Sequence, residues 1–135
     1  MDTMSVTGII ATSPRHVVTQ EGFDITSFRL ASTGRKFDKG QQTWVDSDTN
    51  WFTVIAFRQL AHNANLSLAK GDRVVVRGKL KVREWSNDEK SGTAVEIEAE
   101  SLGHDLLWGT TTYERSNASS ADGQDERLSQ SRFRR

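Results

Sequence analysis

Cysteine is absent from these 135 residues, so the chain carries no disulfide framework, no thiolate metal site and no cysteine nucleophile. Proline occurs once, at Pro14. Net charge is missing too: 18 Lys and Arg balance 18 Asp and Glu, a total that argues against the basic domain usual in nucleic-acid binders. No apolar run approaches the ~18–20 residues that cross a bilayer. The opening residues Met1-Asp2-Thr3-Met4 lack the basic and apolar regions of a secretory signal, so a cytoplasmic protein without a membrane partner is expected. Catalytic vocabulary is thin. His16, His62 and His104 fall on different segments without metal-ligand spacing and read as structural or surface residues. The glycine patterns of phosphate loops, nucleophile elbows and dinucleotide sites do not occur. The expectation is a protein with no enzymatic activity, no metal and no cofactor.

The length suits one domain with a core, and its residues alternate with the period of strands. Ser5–Ala11 and a short piece at His16–Thr19 open the chain. Asp24–Ser32 follows, with a parity change between Ile25 and Phe28 that predicts a β-bulge. Thr33–Asn50 has no clear period and reads as a long functional loop. Trp51–Phe57 alternates again. Arg58–Lys70 places Leu60, Ala61, Ala64 and Leu68 at helical spacing, with Lys70-Gly71 as its stop. Asp72–Trp85 turns Val74, Val76, Leu80 and Val82 to one face, and Thr93–Gly103 turns Val95, Ile97 and Ala99 inward across a polar tip at Ser86–Gly92. Phe23 and Trp108 read as core or tail-packing residues. This order predicts an all-β fold, a five-stranded Greek-key OB barrel over residues 1–108 with one helix between its third and fourth strands. Residues 109–135 read as a disordered tail.

The neutral total hides a separation along the chain. Lys70, Arg73, Arg77, Lys79, Lys81 and Arg83 stand against Asp72 alone, whereas the next twenty-odd residues carry Glu84, Asp88, Glu89, Glu96, Glu98, Glu100 and Asp105 against Lys90. Arg77, Lys79, Lys81 and Arg83 occupy one face of a strand, with Trp85 next in that row. Alternate residues lie ~6.5–7 Å apart, close to the spacing of successive phosphates or splayed bases. Trp51 and Phe57 sit opposite their own strand's aliphatic row, where a core role fits poorly. Rings beside a basic track are how single strands are held without regard to sequence. A basic row is also what a solvated strand that discourages edge pairing looks like, and Glu96, Glu98 and Glu100 read as a solvated face of the same kind. Phe37 and Trp44, with Arg35, Lys36 and Lys39, are placed to close the long loop over the bound strand.

Several blocks carry a family resemblance: Val6-Thr7-Gly8 with Pro14 six residues later, Phe28-Arg29-Leu30-Ala31-Ser32, Trp51 through Phe57, and Lys70-Gly71-Asp72-Arg73-Val74. The most specific is Val76-Arg77-Gly78-Lys79-Leu80-Lys81-Val82-Arg83-Glu84-Trp85. Over Ser5–Asp105 the chain resembles the bacterial single-stranded DNA-binding protein family, and its actinobacterial members most through Trp44-Val45-Asp46 and Gly103-His104-Asp105-Leu106. The resemblance implies an OB-fold homotetramer that wraps single-stranded DNA in replication, recombination and repair, associated with the nucleoid. The family's stacking aromatics map onto Trp51, Phe57 and Trp85. Its long-loop tryptophan has no direct match: Lys36 falls at its place and Phe37 is the nearest aromatic. Typical members end in an acidic tip that recruits repair and replication enzymes. This sequence ends Ser131-Arg132-Phe133-Arg134-Arg135, which leaves such recruitment unsupported and points to a specialised paralogue. A primosomal-type OB module acting mainly through protein contacts is the competing expectation, and RNA in place of DNA is another.

Overall fold

The computed structural model describes residues 2–116. It contains β1 (Thr3–Ile10), β2 (Arg15–Val18), β3 (Asp24–Asp38), β4 (Thr43–Phe57), α1 (Arg58–Ser67), β5 (Arg73–Ser86) and β6 (Ser91–His104). The strands run in the order β1-β5-β6-β4-β3-β2, and a β1–β3 pairing at Ile9↔Ala31 and Ile10↔Leu30 closes the sheet. Five strands thus make the barrel, β2 lies outside β3, and the helix joins β4 to β5. This is the OB topology that the alternation pattern predicts. Residues 109–116 carry no helix or strand, and the Gln59 amide donates to Ser116 Oγ at 3.2 Å. The rest of the expected tail, including its basic end, lies outside the described residues.

The core follows from the period of two. Ile10, Leu30, Val54, Val74, Val76 and Ile97 are fully buried, with Phe28, Ala56 and Ala99 beside them and the Ala61–Ala64 face of α1 and Leu68, just past its end, packed against them. The parity change in β3 has a different cause from the bulge expected there. Register runs unbroken from Ile25↔Phe57 to Thr33↔Thr49. Thr26 occupies the inward position, buried, and its hydroxyl donates to the Ala61 carbonyl at 2.7 Å. A polar residue in the core row therefore tethers strand to helix while Ile25 faces outward. Thr26→Val keeps the shape and removes the bond; it is expected to cost about 1 kcal/mol, measured as a lowered urea midpoint. An unchanged midpoint would mean that the tether contributes nothing.

Three further segments differ from their expected form. The segment Thr33–Asn50 is a two-stranded ribbon rather than a loop. After a register shift between Thr33 and Arg35, the pairs Arg35↔Asp46, Lys36↔Val45, Phe37↔Trp44 and Asp38↔Thr43 continue β3 and β4 outward. Asp38 Oδ1 accepts from the backbone of Gly40 at 2.9 Å and closes the tip. A ribbon solvated on both faces has no core side, so it shows no apolar alternation. The helix ends at Ser67, three residues early, because Leu68 takes extended dihedrals (φ −108°, ψ 146°) and buries itself. Val82, expected in the core, is 60% exposed. The β5–β6 ladder continues past the barrel to Ser86↔Ser91, and its inner row runs on beyond the core that would cover it. At Arg77/Gly78 this ladder shifts register, leaving Glu100 as the extra residue opposite a buried Gly78.

Candidate nucleic-acid interface

The outer face is fixed by register. On β3–β4 the outward pairs are Ala31↔Trp51, Arg29↔Thr53, Ser27↔Ile55 and Ile25↔Phe57. On β5–β6 they are Lys79↔Glu98, Lys81↔Glu96, Arg83↔Ala94 and Trp85↔Gly92. The parallel β4–β6 pairing joins the two halves through Thr53↔Glu96 and Ile55↔Glu98. Trp51, Phe57, Trp85 and the row Arg77, Lys79, Lys81, Arg83 therefore share one continuous surface. Trp51 is 49% exposed, Phe57 41% and Trp85 45%, so each presents ring surface to solvent from a rigid strand.

Two of the rings, the indoles, have a local support. The Arg29 guanidinium stands 5.5 Å from the Trp51 ring centre and donates to Thr53 Oγ1 at 3.2 Å, bracing the indole from the neighbouring strand. Trp85 lies across its cross-strand partner Gly92: a Cβ built there would meet the indole at 2.7 Å. Only a residue without a side chain lets the ring lie flat on the hairpin. Arg29 and Gly92 are contributors that the period of β4 and β5 alone does not reveal. Pairing Arg29, opposite in parity to Leu30, with the outward row of β4 is the signal that finds the first.

Charge behaves differently from its order in the sequence. Antiparallel pairing folds the acidic segment back onto the basic one, so the two rows share a face. Arg77 reaches Glu100 at 3.3 Å and Arg83 reaches Glu96 at 3.6 Å, while Lys79 and Lys81 stand opposite Glu98 and Glu96. Among the described residues neither lysine makes an ion pair, and both are exposed. The exposed Arg77–Glu100 pair contributes about 0–1 kcal/mol, and water or phosphate exchanges for it readily; the Glu96 carboxylate is only 14% exposed and holds Arg83 more firmly. The surface is a lattice of alternating signs rather than a basic stripe.

The ribbon residues stand apart. Phe37 packs edge-on against Trp44, ring centres 5.6 Å apart at 72°, seven residues and about 23 Å along β4 from Trp51. Arg35 donates weakly to the Trp44 carbonyl at 3.4 Å and approaches Asp46 at 3.9 Å, while Lys36 pairs with Val45 in the ladder. The structure brings these residues together with one another and not with the barrel face. Phe23 and Trp108 are surface residues, each beneath a guanidinium: Arg58 lies 3.9 Å from the Phe23 centre and Arg73 lies 3.9 Å from that of Trp108. Arg58 has φ 60°, the left-handed region, which costs a side-chain-bearing residue about 1–2 kcal/mol. An exposed cation–π contact returns about 0.5–1 kcal/mol, so the stack does not offset that strain.

Two histidines are tied to carboxylates, His16 to Asp24 at 2.8 Å and His104 to Asp72 at 2.9 Å, at element ends away from the rings. Among the described residues no group of three or more His, Asp or Glu side chains is placed to hold a metal ion.

Comparison with known proteins bears on the chain as a whole. Residues 1–105 match the model of the single-strand binding protein family. The chain is 51% identical to single-stranded DNA-binding protein 2 of Tropheryma whipplei over 115 residues, 85% of this chain and 76% of that one. It is 46% identical over 108 residues to single-stranded DNA-binding protein 1 of Streptomyces coelicolor, covering 80% and 69%. The crystal structure of the small single-stranded DNA-binding protein from S. coelicolor superposes with a TM-score of 0.74 at 44% identity, over 80% of this chain and 97% of that one. The second such protein of Mycobacterium smegmatis gives 0.64 at 28% identity, over 84% and 97%. With the closed barrel, the helix between β4 and β5 and a match spanning every strand, the chain belongs to the single-strand binding protein family.

Proposed function

We propose that this protein binds single-stranded DNA without sequence preference, stacking bases on Trp51, Phe57 and Trp85 while Arg77, Lys79, Lys81 and Arg83 contact phosphates. The observation that carries the reading is the exposure of three rings on one strand-built face, interleaved with cations. Every base has a π-face, so stacking is indifferent to sequence, and each stacked base contributes about 1–3 kcal/mol. Lys79 and Lys81 offer charge without a competing ion pair, Arg77 exchanges a carboxylate for a phosphate, and Arg83 offers its remaining N–H donors while it stays paired with Glu96. The ribbon, with Phe37, Lys36 and Arg35, extends the surface available to a longer strand. Residues 1–108 form the binding unit.

The finer reading includes a homotetramer serving replication, recombination and repair at the nucleoid. Two features favour self-association. Between Thr3 and Gly8 β1 pairs with β5 alone, which leaves a strand edge open, and Val82 exposes an apolar side chain on β5 past the start of β1. Titration with oligo-dT is expected to quench tryptophan emission, with affinity falling as salt rises, and mass measurement of the complex gives the number of chains. Unchanged emission with no complex at low salt would overturn the binding reading.

A further inference from the structure

We infer that Arg58, seated on Phe23, is a further phosphate contact at the end of the stacking face, extending the path of the strand past Phe57 onto the β2–β3 turn. The inference rests on the single-strand reading of that face. Phe57 pairs with Ile25, both outward, and Phe23 is two residues from Ile25 and so of the same parity. The lane Trp51, Phe57, Phe23 therefore continues in one direction. The turn holds Phe23 in register: its N–H donates to Thr19 Oγ1 at 3.0 Å, and its carbonyl accepts from Thr19 N–H at 2.9 Å. The ring is 38% exposed.

Arg58 reaches this place by a backbone device. Continued as strand, the chain would point residue 58 to the side of Ala56, into the core. The left-handed φ of 60° breaks the alternation and delivers the side chain to the outer surface instead. There the guanidinium carbon lies over the Phe23 ring, 3.9 Å from its centre. A cation held over a ring face is kept in place while its N–H groups stay free to meet an anion. Unlike Arg77 and Arg83, Arg58 has no carboxylate within 4 Å among the described residues, and its guanidinium makes no hydrogen bond there. An oriented, unpaired cation on a strained residue at the end of an aromatic lane fits a phosphate. Strain that local packing does not repay is characteristic of binding positions.

The test separates stability from binding. Arg58→Gly relieves the left-handed strain, so thermal unfolding is expected about 3–6 °C higher. The same change is expected to weaken oligo-dT binding about threefold or more at ~50 mM salt and to reduce the slope of log affinity against log salt by about 0.7, one single-strand phosphate contact. Phe23→Ala, which removes the seat and keeps the cation, is expected to weaken binding as well. Arg58→Gln keeps the strain and removes the charge, so it should repeat the loss of affinity and slope without the gain in Tm. Affinity and slope equal to wild type in both Arg58 variants would overturn the inference. If Trp51→Ala weakens binding in the same assay, only the inference at Arg58 has failed; if the wild-type protein leaves oligo-dT unbound, the reading of the whole face fails with it.

Discussion

Replacing Gly78 with alanine is expected to destabilise the barrel by about 3 kcal/mol or more, a large part of the 5–15 kcal/mol that holds a domain together. Gly78 is buried between Met4 on β1 and Ala99 on β6. A Cβ there would overlap the Glu98 carbonyl oxygen and lie 2.8 Å from its carbon and 2.9 Å from Ala99 Cα. These are backbone atoms, so no rotamer change makes room. The strands must separate at the point where the ladder already shifts register. Gly8 offers a comparison: its nearest obstacle, the Ala31 carbonyl oxygen, lies at 2.5 Å, and alanine there should cost less. Urea unfolding of the variants measures both. A Gly78→Ala protein that melts within two or three degrees of wild type would mean that the ladder yields far more easily than its geometry implies.

Removing both supported indoles, Trp51→Ala with Trp85→Ala, is expected to lower affinity for oligo-dT by more than either change alone. Each single replacement should cost about 1–3 kcal/mol, roughly 5- to 150-fold in Kd. The rings stand on different strands, so a bound base on one does not substitute for the other. Neither is in the core, so the circular dichroism and melting of the variants should stay close to wild type. Trp51→Ala also frees Arg29 from its stack, and part of that loss can return as a new phosphate contact. Trp85→Ala has no such compensation. Competent folding with unaltered affinity in the double variant would remove both rings from the interface.

Most of the barrel is legible in the sequence because a one-sided strand must alternate. The inward rows of β4 and β6 follow directly, and so does the outward parity of Trp51, Phe57 and Trp85. Where alternation carries no energetic demand, the pattern is silent. The ribbon from Thr33 to Asn50 has no buried face, so it looks like loop. Thr26 breaks the apolar row because its hydroxyl satisfies a helix carbonyl, and that mimics a bulge. Val82 follows the inward pattern after the core has ended. Charge misleads for a different reason: the linear order separates cations from carboxylates, and only the antiparallel register between β5 and β6 shows that they interleave. Phe23 and Arg58 are recognisable as neighbours only once a positive φ has turned a side chain outward.

That interleaving governs how a strand arrives. Opposite charges a few ångströms apart cancel in part at distances beyond about a Debye length, ~8–10 Å, so the field that reaches a diffusing polyanion is weaker than an unbroken basic row would give. Association is then expected nearer the unguided range of about 10⁵–10⁶ M⁻¹s⁻¹ than the 10⁸–10⁹ M⁻¹s⁻¹ of strongly charged surfaces. On the proposed interface a docked strand meets rings and two unpaired lysines, and its departure is expected to be slow by comparison. Duplex DNA, whose bases stay in their own stack, is expected to gain phosphate contacts without stacking and to leave sooner. On that reading the lifetime of the complex, not the frequency of encounters, is the quantity expected to distinguish an unpaired strand from a duplex.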